Sequence, residues 1–233
     1  MHHDQYALIA CSPMEPYFKD VIDYILPHID GGHICDLGSH AIGHYWATGY
    51  IERVESYSCY DLSSEALEIF KNTIKDMSAD MLQEKQADLL SYLYEKKIIQ
   101  NTPEQIAKQL VSKLSTVRQF DFLTDQADQK YDTVLAMESL AVVSSYEELV
   151  KAMKTARSFL KEDGQLLSVF GHYKEADQAI KAMQEQKISG SLNPDMDIFQ
   201  QALSEAGFNV IDSKAFPIDY PGYLYTGMCI AKC

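Results

Sequence analysis

The chain has 233 residues, 46% hydrophobic and 23% charged, with 20 basic side chains against 34 acidic ones and a formal net charge of −14. That apolar share is too high for a disordered chain, and no stretch approaches the roughly 18 apolar residues of a membrane span. An acidic balance of this size also repels polyphosphate, which argues against general nucleic-acid binding. Met1-His2-His3-Asp4 lacks a basic region followed by an apolar run, so no signal peptide is expected, and the histidine pair is set aside. The cysteines, Cys11, Cys35, Cys59, Cys229 and Cys233, are odd in number and lack Cys-x-x-Cys spacing. Reduced thiols in a cytoplasmic protein are expected.

Residues 14–29 place Phe18, Val21, Ile22, Ile25 and Leu26 on one helical face and end at Pro27. His33 to Gly38 reads as a buried strand broken by a glycine, and residues 54–60 as a second strand. Ser63 and Ser64 then offer an N-cap with Glu65 in the first turn, and Leu67, Phe70 and Ile74 continue that helix. Residues 80–98 and 103–115 read as helices, the latter opened by Thr102, Pro103 and Gln105 in a capping-box pattern. Strands follow near 116–122 and 131–137. Ser144 and Glu147 open an amphipathic helix through Leu149, Met153, Ala156 and Leu160, and a turn at Lys161-Glu162-Asp163-Gly164 leads to a strand at 165–170. Helices are predicted over about 173–187 and 194–206, the latter with Asn193 as N-cap, Pro194 in its first turn and Gly207 at its end. Strands at 208–215 and 223–231 close the chain.

This alternation implies an α/β fold: a doubly wound, mostly parallel seven-stranded sheet, Rossmann-like, with helices on both faces. The connection from Pro217 to Gly222 is too short for a helical crossover, so the last strands form an antiparallel hairpin. No repeat or linker divides the chain, and a single domain over 1–233 is expected, with a helical insert over about 75–115 that either covers a sheet edge or acts as a substrate lid.

In open sheets of this kind ligands gather at the carboxyl ends of the strands. There stand Asp36, Gly38, Ser39 and His40, then Asp61, Leu62 and Ser63, then Asp121 and Phe122, then Met137, Glu138 and Ser139. An acid at 61 suits a ribose diol, an acid beside a ring at 121–122 suits adenine, and Gly38 permits a tight turn against a ligand. Gly38 and Gly43 fit a dinucleotide fingerprint poorly, and no P-loop is present.

Asp36-Leu37-Gly38-Ser39 after a strand, Tyr60-Asp61-Leu62-Ser63, Asp121-Phe122 and the turn from Leu160 to Leu166 together resemble the class I S-adenosylmethionine-dependent methyltransferases, over roughly residues 14–232. The insert and the Tyr-rich hairpin are similar to the nicotinamide and phenylethanolamine N-methyltransferase group. The resemblance implies S-adenosyl-L-methionine as cofactor, with Asp36 and Gly38 along its methionine part, Asp61 on the ribose and Asp121 with Phe122 on the adenine. Ser39, His40, Leu62 and Met137 complete the implied cofactor set, and Tyr6 and Tyr17 belong to an implied N-terminal helical lid over about 1–30. Two departures stand out. His40 occupies the place of the family's second glycine. No acid ends the fifth strand, Val169-Phe170-Gly171-His172-Tyr173, where the amine-methylating relatives steady the substrate amine.

His40 and His44 stand four apart, but no third metal ligand is near, and no metal is expected. Glu138 and His172 are the candidate bases, each equally readable as a loop acid or a half-buried histidine. Of the cluster Tyr220, Tyr223 and Tyr225, Tyr220 suits a pocket wall facing a sulfonium, and Tyr225 suits packing. The expected activity is methyl transfer to a small molecule, without nucleic-acid or membrane partners. Two alternatives stay open: transfer or cyclisation of the aminocarboxypropyl arm with release of methylthioadenosine, and a non-catalytic nucleoside-binding regulator. Acids at 36, 61, 121 and 138 are expected to lend the pocket negative charge, favouring a neutral or cationic acceptor.

Overall fold

Apolar residues at helical spacing before the first strand have to find a face to cover, and they do so completely. In the computed structural model, which describes residues 16–174, 192–218 and 223–233, helix α1 (Pro16–Ile25) buries Phe18, Val21, Ile22 and Ile25, and a 3-10 turn (Leu26–His28) follows. Tyr6, Cys11, Tyr220 and residues 175–187 of the helix expected over 173–187 lie outside the described residues, as does the side chain of Tyr17. The chain divides into two compact units, one up to Gln119 and one from Phe120 onward.

The first unit continues with β1 (His33–Leu37), a 3-10 turn (His40–Ile42), α2 (Gly43–Tyr50), β2 (Ser56–Asp61), α3 (Ser64–Lys75), α4 (Ala79–Lys85), α5 (Ala87–Glu95), α6 (Pro103–Ser112) and β3 (Leu114–Gln119). Strands β1, β2 and β3 are parallel. Helix α2 was not expected, because glycines and aromatic residues at 43–50 are poor helix formers. Tertiary burial of Trp46, Ala47 and Tyr50 overrides that preference. Trp46 stacks on Phe18 with ring centroids 4.5 Å apart, which contributes about 1 kcal/mol beyond the area removed from water. Gly49 lets Leu26 pack directly on α2, since a Cβ there would run into it.

The insert is three helices rather than the two expected. Gln86 interrupts the helix expected over 80–98: it is buried, lies outside helical backbone geometry, and its Oε1 accepts a hydrogen bond from Thr48 Oγ1 at 2.9 Å. Thr102 and Gln105 do form the reciprocal capping box, with Pro103 at the first helical position. Glu52 then accepts the backbone N–H groups of Gln100 and Asn101, and Lys113 Nζ donates to the carbonyls of Ile51 and Val54. These bonds tie the insert to the chain around 51–54, while Leu82, Leu89, Leu93, Ile106 and Leu110 are buried.

The second unit contains β4 (Tyr131–Met137), α7 (Tyr146–Ser158), β5 (Leu160–Tyr173), α8 (Met196–Glu205), β6 (Asn209–Pro217) and β7 (Tyr223–Lys232). Strand β7 lies between β5 and β6 and is antiparallel to both, which is the expected closing hairpin. The strand order is β3-β2-β1-β4-β5-β7-β6 in a seven-stranded, mostly parallel sheet. The expected turn at 161–164 is instead a bulge within β5, whose pairing with β4 jumps from Leu160 to Gln165. Two caps sit one or two residues later than expected. Ser145, not Ser144, caps α7, and the Glu148 carboxylate accepts the Ser144 N–H. Asp195, not Asn193, caps α8; the Asn193 amide instead pairs with both backbone groups of Tyr173. Among the described residues no helix is long and apolar enough to cross a membrane.

Candidate active site

At the end of β1 the chain turns through Gly38 at φ 84°, and the N–H groups of Gly38 and Ser39 both donate to the Tyr60 carbonyl at the end of β2. His40 follows at φ 51°, in the left-handed region. Its N–H donates to Asp61 Oδ2 at 2.8 Å, while Asp61 Oδ1 accepts the Ser63 N–H at the same distance. Ser63 in turn caps α3 through its hydroxyl, which accepts the Ala66 N–H. The half-buried Asp61 carboxylate is therefore held by one N–H on each oxygen, and each oxygen keeps acceptor capacity for a ligand hydroxyl.

The glycine missing at position 40 is thus missing only as a side chain; the backbone keeps a glycine's conformation. Holding an L-residue there costs roughly 1–2 kcal/mol. His40→Gly is expected to raise stability by about 1 kcal/mol, read as a shift in the urea midpoint. An unchanged or lowered midpoint would show that the imidazole compensates the strain.

Beneath this loop lies Asp36. It is 0% exposed, and neither carboxyl oxygen has a hydrogen-bond partner. Burial, and secondarily the charge of Asp61, push its pKa from 3.8 up to about 8. The expected negative charge at 36 is accordingly absent at neutral pH. Gly43 makes the close packing possible, because a Cβ there would stand 3.1 Å from Asp36 Oδ2, Cys59 Sγ and Ser39 Cβ. The importance of Gly43 was not recognised from the sequence, since it follows no strand and fits no glycine motif. Cys59 is buried and its thiol is pushed up by that burial, then by Asp36. Leu62 is 61% exposed. His40 and His44 do not share a helix face, as His40 lies in the 3-10 turn ahead of α2. His44 is buried against Tyr45 and Phe70, and burial lowers its pKa to about 4. Among the described residues no group of three His, Cys, Asp or Glu is placed to hold a metal.

In the second unit, Asp121 and Phe122 belong to a turn, because β3 ends at Gln119 rather than at 122. Asp121 Oδ1 accepts the Leu123 N–H, and Asp125 accepts the Asp121 N–H. Phe122 is half-buried, whereas Phe120 packs edge-on against Phe159 in the core. Met137 ends β4, and Glu138 follows at φ 57°, its N–H donating to the Val169 carbonyl of β5. A non-glycine residue held in this region at a strand end marks a position the surrounding structure over-determines.

Around the end of β5 the aromatic residues form a wired group. Tyr173 OH donates to Tyr223 OH at 2.9 Å, with ring centroids 4.3 Å apart, and the Tyr223 ring occupies the space a Cβ at Gly171 would take. Burial first, and the Glu138 charge with it, raise the Tyr173 pKa. His172 faces Tyr225 at 4.8 Å with 28° between the rings, and its Nδ1 lies 3.0 Å from the Pro194 carbonyl oxygen. Tyr225 OH accepts the Met196 N–H at the start of α8. Asn193 and Pro194, singled out as capping signals, thus serve the strand end instead.

No family model matches the sequence, and no curated protein matches it. Solved structures do share its shape. The N-methyltransferase NodS from Bradyrhizobium japonicum WM9 is similar with a TM-score of 0.61 at 9% identity, over 94% of this chain and 98% of that one. The same enzyme in complex with S-adenosyl-L-homocysteine is similar at 0.60 and 8% identity, over 94% of this chain and 88% of that one. An S-adenosylmethionine-dependent methyltransferase from Mesorhizobium loti gives 0.60 at 13% identity, over 92% and 96%.

Proposed function

We propose that this chain, which has the fold of the class I S-adenosylmethionine-dependent methyltransferases, binds S-adenosylmethionine and transfers its methyl group to a small molecule. The observation that carries the reading is the Asp61 carboxylate, presented at the end of β2 by the His40 and Ser63 N–H groups. A carboxylate fixed in this way accepts a ribose diol without first having to be ordered. Asp36 supports the fit: its two orphaned oxygens lie beneath the Gly38–His40 turn, and its carboxyl, neutral without a cation beside it, would ionise against the ammonium of an amino acid moiety, which lowers its pKa. Asp121 with Phe122 suits an adenine edge and face, and Glu138 and His172 supply acceptor-side chemistry.

When bound, S-adenosylmethionine supplies a methyl already activated on a sulfonium. The chain's own work is then to orient the acceptor in line, exclude water and take up a proton where the acceptor must lose one. His40 keeps the turn in a glycine's backbone conformation, which favours an ordinary methionine-end site over arm chemistry.

Calorimetry with S-adenosylhomocysteine tests the site. Asp61→Ala is expected to weaken binding roughly 10- to 100-fold, the range for losing hydrogen bonds to a charged group. Asp61→Asn, which keeps one acceptor for the loop, is expected to fall between. Unchanged affinity in both variants removes the ribose contact. Chromatography after incubation with S-adenosylmethionine identifies the chemistry: S-adenosylhomocysteine supports methyl transfer, and methylthioadenosine or binding without turnover opposes it.

A further inference from the structure

Resting on the methyltransferase reading, we infer that His172 is the general base for an acceptor bearing an acidic hydroxyl, a phenol or an enol. The tautomer is the starting point. A carbonyl oxygen only accepts, so the 3.0 Å approach to Pro194 places a proton on His172 Nδ1 and leaves the Nε2 lone pair open. The ring is held on its face as well as its edge. It stacks on Tyr225, which is fixed by the Met196 N–H at the start of α8, and Asp195 caps that helix through the Ile198 N–H. A base oriented by a second group that is itself anchored is the arrangement nucleophile activation requires.

The position agrees with the chemistry. His172 is half-buried at the carboxyl end of β5, three residues beyond the Val169 whose carbonyl holds the Glu138 backbone. No carboxylate ends that strand to receive a substrate ammonium. A neutral amine attacks a methyl with its own lone pair and needs no base, whereas a phenol, with a pKa of about 10, becomes a strong nucleophile once an imidazole accepts its proton. The step balances: the hydroxyl proton passes to Nε2, the oxygen bonds the methyl carbon, and the methyl–sulfur bond breaks with its electron pair going to sulfur. The imidazolium then returns the proton to solvent.

Asparagine at 172 separates base from brace, because its amide N–H reproduces the Nδ1 donor to Pro194 and carries no base. With phenol, catechol and acetylacetone as hydroxyl probes, wild type is expected to form S-adenosylhomocysteine. His172→Asn is expected to lower kcat by roughly 10²- to 10⁴-fold, with KM and S-adenosylhomocysteine affinity unchanged. His172→Ala is expected to recover part of the rate when imidazole is added. Nitrogen-15 chemical shifts of the wild-type ring at pH 8, with no cofactor present, are expected to show protonated Nδ1 and bare Nε2. Methylation confined to benzylamine and piperidine, no turnover of any hydroxyl probe, full kcat in His172→Asn, or a proton on Nε2 would each overturn the assignment. If S-adenosylhomocysteine binds but His172→Asn is fully active, only the base is lost; if wild type does not bind it, the methyltransferase reading falls as well.

Discussion

Replacing Asp36 with asparagine is expected to remove a pH-dependent loss of stability that the wild-type chain suffers between its ordinary pKa of 3.8 and about 8. The buried carboxyl is neutral in the folded protein across this window, while the unfolded chain carries it ionised, so the folded state binds more protons. The stability this provides is complete below the unfolded value and is lost as pH rises through the folded one. The slope is about 1.4 kcal/mol per pH unit from this residue alone, large against a total stability of about 5–15 kcal/mol. Asparagine keeps the shape and the unpartnered polar atoms but cannot ionise. Urea unfolding at several pH values across the window should show the variant gaining on wild type as pH rises, with the gap levelling above pH 8. Parallel stability curves would mean that Asp36 is already ionised in the folded state.

A methyl group added at Gly227 is expected to cost about 3 kcal/mol, at the upper end of ordinary overpacking. Gly227 pairs with Phe170 across β5 and β7, and its missing Cβ is the space the Phe170 ring occupies. That ring has no free side to move toward: it is 0% exposed and stacks on Phe199 of α8 with centroids 4.1 Å apart and 12° between planes. Thermal unfolding of Gly227→Ala should show the loss, and adding Phe170→Leu should recover part of it by vacating the overlap. Equal stability of the single variant and wild type would show that β7 can shift away from β5.

The inner strands were legible as short apolar runs between turn signals, because a buried strand must be apolar over its whole length. The edge strands β3 and β6, which bury little, were legible from their place between turn signals and helices. The closing hairpin followed from connection length alone. Helix α2 was not legible, since its stability comes from Trp46, Ala47 and Tyr50 finding partners rather than from propensity. The break at Gln86 was hidden for a related reason: a glutamine inside an amphipathic pattern reads as exposed until Thr48 is seen beside it. Capping signals were legible to within a residue or two, as several Ser, Asn and Asp competed at 144–145 and 193–195.

For the candidate site, the sequence alone identified most of the residues at strand ends, because strand ends follow from apolar periodicity and turn residues; Asp121 and Phe122, expected at such an end, lie in the turn after β3. It placed Asp36, Gly38, His40, Asp61, Glu138 and His172 there. What each can do was decided by tertiary structure. Burial sets the protonation of Asp36, the His40 N–H, 21 residues away in sequence, fixes one oxygen of Asp61, and the Pro194 carbonyl selects the tautomer of His172. The reason is physical: position along an element is a local property, whereas pKa, tautomer and hydrogen-bond capacity depend on groups that only folding brings near.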